Sequence, residues 1–221
     1  MRNTEAKARL IGVLLLALWP AGCALHGVDT HGPAGDTPDS RISTSIPREE
    51  TDANPGRDRP AVIFVEFVTT PQDVVDKMLE LARVGPNDVV YDLGCGDGRI
   101  VVAAAKNYGC RAVGFELDRL RVREARANAM ENGVADRVTI ELKDALTVDL
   151  RPATVVTLYL GTELNARLVP QLQQLAPGSR IVSHDFGIEG FPAEATVRMT
   201  SREDNRDHLI HLWNGPLEAP R

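Results

Sequence analysis

Nothing in the cysteine content supports a disulfide scaffold or a zinc site. The 221 residues hold three cysteines, Cys23, Cys95 and Cys110, far apart, with no Cys-x-x-Cys pair and no Cys/His spacing. No metal is therefore expected. Long apolar runs are missing as well, since Leu10 to Trp19 is only ten residues and cannot cross a bilayer as a helix. Positive charge is not in excess. The formal net charge is -6, and residues 61–221 carry 18 lysines and arginines against 23 aspartates and glutamates. A phosphate backbone recruits the opposite balance, so no nucleic-acid partner is expected. The densest basic stretch, Arg119, Arg121, Arg123 and Arg126, falls in a helical pattern and reads as a solvated face.

The amino terminus has the order of an export signal: Arg2, Lys7 and Arg9, then the apolar run, then Pro20-Ala21-Gly22-Cys23. It resembles a bacterial lipoprotein leader cleaved before Cys23. Residues 1–23 are thus expected to be a leader, and the protein to be exported or held on a membrane through lipid on Cys23, or cytoplasmic if the leader is not processed. From Ala24 to about Arg59 the chain is rich in Gly, Pro, Asp, Thr and Ser with almost no apolar periodicity, which predicts a disordered tether over residues 24–60. One globular domain is expected over 61–221.

Within that domain helical and strand patterns alternate, as in an open α/β sheet. Thr70 is placed to cap a helix with Pro71 at its first position, and Val74, Val75, Met78, Leu79 and Leu81 form its buried face. Strands are predicted at Val89–Leu93, Arg111–Glu116, Val138–Leu142, Thr154–Leu160 and Arg180–His184. Helices are predicted over about Arg99–Tyr108, from Asp118 to Asn132, and over Thr162–Leu175. Ala195–Thr200 and His208–Trp213, with a polar turn between them, read as an antiparallel hairpin closing the sheet.

The densest chemical signal is Asp92-Leu93-Gly94-Cys95-Gly96-Asp97-Gly98, at the carboxyl end of the first strand and the start of a helix. Glycines there let a ligand approach the backbone, and the helix start offers free N–H groups, which points to a nucleotide-like ligand. A dinucleotide fingerprint requires glycine three residues after Gly96. That position is Arg99, which disfavours NAD. Glu116 ends the second strand 20 residues after Gly96, where a carboxylate can accept both hydroxyls of a ribose. Asp144, just past the third strand, can face an adenine amino group, and Asp92 suits a ligand carrying ammonium and sulfonium charge rather than a pyrophosphate. Asp92, Gly94, Gly96, Asp97, Glu116 and Asp144 are the expected cofactor-binding residues. Singly, each carboxylate also reads as an ordinary cap or strand-end group.

Asp92 to Gly98, Gly114-Phe115-Glu116-Leu117-Asp118 and Lys143-Asp144-Ala145 resemble the successive cofactor motifs of class I, seven-β-strand methyltransferases. More narrowly, Phe67-Val68-Thr69-Thr70-Pro71, Asp97-Gly98-Arg99-Ile100-Val101 and Thr157-Leu158-Tyr159-Leu160 resemble the branch with the protein-lysine methyltransferases acting on the ATP synthase c subunit and the adenine nucleotide translocase. The resemblance implies a doubly wound, mostly parallel, Rossmann-like α/β sheet of order 3-2-1-4-5-7-6 with an antiparallel C-terminal strand. It also implies S-adenosyl-L-methionine as cofactor and lysine of a protein as acceptor. The strand-four region lacks Asn-Pro-Pro-Tyr, which argues against methylation of adenine or glutamine amides. Catalytic residues are not assigned. Tyr159, Glu163 and Asp185 are acceptor-side candidates because they follow strands four and five at the edge where open sheets bind ligands, and His184 reads as a hydrogen-bonded core histidine. With reference pKa values near 4, all the carboxylates are expected to be ionised at neutral pH. Two other readings stay open: a small-molecule methyltransferase on the same fold, and an envelope-tethered binding protein without chemistry.

Overall fold

The computed structural model describes residues 68–219; the leader, the tether and the boundary expected near residue 60 lie outside the described residues. The element order is α1 (Gln72–Leu81), β1 (Val89–Leu93), α2 (Arg99–Tyr108), β2 (Arg111–Glu116), α3 (Arg119–Glu131), β3 (Val138–Leu142), a 3-10 turn (Ala145–Thr147), β4 (Val155–Leu158), α4 (Thr162–Leu172), β5 (Arg180–His184), β6 (Ala195–Thr200) and β7 (Asp207–Asn214). The sheet runs β3-β2-β1-β4-β5-β7-β6. Pairs β1–β2, β1–β4, β2–β3 and β4–β5 are parallel, while β5–β7 and β6–β7 are antiparallel. Among the described residues no helix is long and apolar enough to cross a membrane.

Burial follows position in the sheet. Central β4, Val155-Val156-Thr157-Leu158, is buried throughout because helices cover both faces. Edge strand β6 alternates half-buried and exposed residues. Helix α1 buries Val74, Val75, Met78 and Leu79, the spacing expected of one helix face, and α2 buries the whole run Ile100 to Ala105. One apolar core gathers α1, α2 and α3 on one side of the sheet; the other holds Leu158, Leu168, Leu172, Ile181 and Trp213.

At the amino edge of the sheet a polar node locks α1 to β1, β4 and β5. Asp88 accepts from Thr154 Oγ1 (2.6 Å), from Gly85 N (2.7 Å) and from Arg180 Nη2 (2.7 Å), and Arg180 Nε donates to the Ala82 carbonyl (2.9 Å). The opposite, carboxyl edge is left to the chemistry.

Some local expectations shift. Helix α1 starts after Pro71 with no side-chain cap, because the Thr70 hydroxyl bonds to His184 Nδ1 (3.1 Å) instead. Strand β4 ends at Leu158, shorter than its apolar pattern, since Tyr159 and Leu160 already turn away from the ladder, and α4 ends at Leu172, three residues before Leu175. The 3-10 turn after β3 carried no apolar period to announce it.

Candidate active site

The glycine-rich loop lies over the carboxyl end of β1. The Phe115 carbonyl accepts from both Gly94 N (2.9 Å) and Cys95 N (3.0 Å), so the loop folds back over β2. Gly94 has φ +74°, and a Cβ there would sit 2.5 Å from Leu160 Cδ2. Gly98 has φ +77°, and a Cβ there would lie 2.8 Å from Ala125 Cβ on α3. Backbone conformation demands glycine at both positions, and at Gly98 the Ala125 backbone leaves no room for a side chain either. Cys95 is buried against Gly114, and burial pushes its thiol up, so it is an inert filler.

The sheet register sets the acidic groups side by side. Asp92 is opposite Gly114 on β2 and Thr157 on β4, and Glu116 pairs with Leu142 at the end of β3. Asp92 is 3 % exposed; its Oδ1 accepts from Thr157 Oγ1 (2.6 Å), while Oδ2 has no partner. Burial, reinforced by Glu116 and Asp97 against the opposing Thr157 hydrogen bond, raises its pKa to about 7. A buried carboxylate oxygen without a donor fits a ligand that brings a cation to it. Glu116 accepts from Gly96 N (2.9 Å) through Oε2 and from Leu117 N (2.8 Å) and Asp118 N (2.9 Å) through Oε1, which fixes the carboxylate at the strand end. Half-buried Asp144 caps the 3-10 turn through Leu146 N (2.9 Å).

Asp97 stands apart from these three. Its carboxylate is clasped by Arg99, with Nη2 at 2.6 Å and Nε at 3.0 and 3.1 Å, and Arg99 Nη1 donates to the Thr70 carbonyl (2.7 Å). Asp97 therefore ties the loop to the segment entering α1.

On the acceptor side the structure brings Tyr159 and Asp185 together around His184 and leaves Glu163 exposed in the first turn of α4. The Tyr159 ring stacks on His184 (centroids 4.0 Å) and on Phe186 (5.8 Å), and burial raises its phenol pKa, so it stays protonated. His184 is fully buried, and desolvation lowers its pKa to about 4, leaving a neutral ring. Asp185, at φ +58°, accepts from Leu209 N (2.8 Å) through Oδ1.

Several residues near the site were not singled out from the sequence. Leu117 and Leu142, both exposed, offer apolar surface beside Glu116. Asn165 is fully buried in α4, with Nδ2 reaching the carbonyls of Phe186 (3.1 Å) and Gly187 (3.3 Å), so it pins the segment after β5 that carries Phe186. A cleft of about 250 Å³ between α1, α2 and α3 holds none of the acidic strand-end groups.

This geometry agrees with what the chain is similar to. Residues 92–195 match the model of the ANTKMT methyltransferase domain. A protein-lysine N-methyltransferase of Saccharolobus islandicus is 44% identical over 154 residues, covering 69% of this chain and 94% of that protein. The adenine nucleotide translocase lysine N-methyltransferase of Mus musculus is 35% identical over 139 residues, 62% of this chain and 60% of that protein. Among solved structures, an RNA methyltransferase from Salinibacter ruber in complex with S-adenosyl-L-homocysteine superposes with a TM-score of 0.63 at 46% identity, covering 70% of this chain and 97% of that one.

Proposed function

Because the chain belongs to the protein-lysine methyltransferases of the class I, S-adenosylmethionine-dependent fold, we propose that it methylates the side-chain amine of lysine in a protein acceptor. The observation that carries this reading is the identity to a lysine methyltransferase across nearly that protein's whole length. The chain is an enzyme and its cofactor is S-adenosyl-L-methionine. The acceptor-side residues are the chain's own contribution to the choice of substrate.

The residues present fit the cofactor. Glu116 would hold the ribose hydroxyls, Asp144 the adenine amino group with Leu117 and Leu142 beside it, and Gly94 and Gly96 admit the ligand against the backbone. The unpartnered Asp92 Oδ2 suits its ammonium. Bound there, the cofactor supplies a methyl group already on a good leaving group. The protein's part is then to align the acceptor and exclude water. A lysine amine, with a reference pKa of about 10.4, must lose a proton before it can attack. Packed against the Tyr159 and Phe186 rings, the amine would lose water, and that desolvation favours its neutral form. Asp185 accepts from Leu209 N through Oδ1 and turns Oδ2 toward His184 and His208, so Tyr159 is the better placed group to orient the amine.

A second reading, RNA as acceptor, is favoured by the name of the Salinibacter ruber relative. The acidic balance of residues 61–221 opposes it. One experiment separates them: the full chain with methyl-labelled cofactor and a cell extract. Label that survives ribonuclease and is recovered as methyllysine supports the proposal; label removed by ribonuclease, or found only on small molecules, rejects it.

The charged start, the apolar run and Cys23 support the further proposal that the chain is exported and anchored by lipid on that cysteine.

A further inference from the structure

Where β5 leaves the sheet, three potential ligand atoms converge. His184 Nε2 and His208 Nδ1 are 2.8 Å apart, and Asp185 Oδ2 lies 3.4 Å from the first and 3.7 Å from the second. A point equidistant from three atoms so spaced is about 1.9 Å from each. An ion about 0.7 Å off their plane has all three at about 2.0–2.1 Å, the range of zinc–nitrogen and zinc–oxygen bonds.

We propose that His184, Asp185 and His208 form a binding site for one divalent transition-metal ion of the zinc class, with two imidazoles and a carboxylate on one face and the remaining positions left to water. Two imidazole nitrogens with one carboxylate oxygen make a donor set suited to such ions and poorly suited to calcium or magnesium, which take mostly oxygen. The outer shell is in place too. His208 Nε2 faces both oxygens of Asp204 at 3.2 Å, and His184 Nδ1 faces Thr70 Oγ1 at 3.1 Å, so each ring is oriented through its other nitrogen as metal-bound histidines are.

Without an ion, part of the cluster is satisfied by a single proton. A carboxylate only accepts, so His208 Nε2 carries hydrogen toward Asp204, its Nδ1 accepts from His184 Nε2–H, and Thr70 donates to His184 Nδ1. That arrangement leaves Asp185 Oδ2 facing two nitrogens without a hydrogen bond to either. An ion replaces the bridging proton with three coordinate bonds. The His184 proton then moves to Nδ1 and donates to Thr70 Oγ1, with no net release. The ion would clamp β5 to β7 directly beneath Tyr159, tying the acceptor side of the sheet to the β6–β7 turn.

The test uses the full chain, stripped with a chelator and titrated with zinc chloride by calorimetry and with cobalt(II) chloride by visible absorption. The expected result is one equivalent bound with d–d bands and a rise in Tm. Asp204→Asn should weaken binding about 10- to 100-fold, and Asp185→Asn and His208→Ala by more. Asn tolerates positive φ and can still accept from Leu209 N, so Asp185→Asn keeps the fold if His208→Ala does not. Equal binding by wild type, Asp185→Asn and Asp204→Asn would assign the ion to other groups and overturn the site, as would no saturable binding by the wild type.

Discussion

Asp92 shows how far one residue's environment departs from its composition. Read as an isolated carboxylate it is ionised at neutral pH, but burial between β2 and β4 raises its pKa to about 7. The folded chain therefore binds more protons than the unfolded one between about pH 4 and 7. Without cofactor, this group lowers stability as pH rises through that window. A cationic ligand beside Oδ2 favours the ionised form. Calorimetry should thus find S-adenosylmethionine affinity rising from pH 6 to about 8 and then levelling. In Asp92→Asn the rise should vanish and affinity at pH 8 fall by about 1.5–3 kcal/mol, while the unliganded domain melts no lower than wild type. Glu116→Ala should cost a similar amount of cofactor binding, by the same measurement, since it removes the ribose acceptor and releases Gly96 N from its fixed position.

Between elements, the same residue type has two prices. Gly98 joins the motif loop to α2, and a Cβ there would meet Ala125 Cβ at 2.8 Å and its Cα at 3.1 Å, so α2 and α3 must part. Gly133 ends α3 at φ +69° with nothing within 4 Å. Gly98→Ala should destabilise by strain plus overpacking, about 2–5 kcal/mol, against about 1–2 kcal/mol for Gly133→Ala, where only strain acts. Thermal unfolding of the two variants side by side checks this; equal losses would mean that helix packing does not fix the loop. The node at the amino edge is separable from the site. Asp88→Ala leaves Arg180 without its carboxylate and should cost about 1.5–3 kcal/mol in unfolding by denaturant, with cofactor affinity unchanged.

At the scale of the whole molecule, acceptor chemistry and location each have a direct readout. With lysine as the acceptor, single-turnover methylation at saturating cofactor should accelerate from about pH 7 toward 9 as more amine is neutral, read as 14 Da steps, roughly one methylene each, by intact mass. A flat profile would point to an acceptor group that is already uncharged at pH 7. If Cys23 is lipidated, labelled fatty acid should enter the wild-type chain and Cys23→Ser should release it from membranes. An intact amino terminus recovered from cytosol without label would end that proposal.

The sequence by itself determined the elements and the glycine loop. Apolar periodicity marks α1 and the strands, and Asp92 to Gly98 after a buried run marks a ligand loop, because helix and strand periods and glycine's backbone freedom are local properties. The spacing from Gly96 to Glu116 was legible for the same reason, one βαβ unit having a nearly fixed length. Strand order was not written in any local pattern and came through family resemblance. Only the tertiary structure decided that Asp97 belongs to Arg99, that Asp92 is half-neutral near pH 7, and that Thr70, 114 residues from His184, bonds to it rather than capping its own helix. Asp97 and Arg99 are only two residues apart and are held as a pair because Arg99 also reaches the Thr70 carbonyl. The last two share one physical reason. Burial and long-range pairing depend on which strands become neighbours, and that follows from packing the whole sheet rather than from any segment of it.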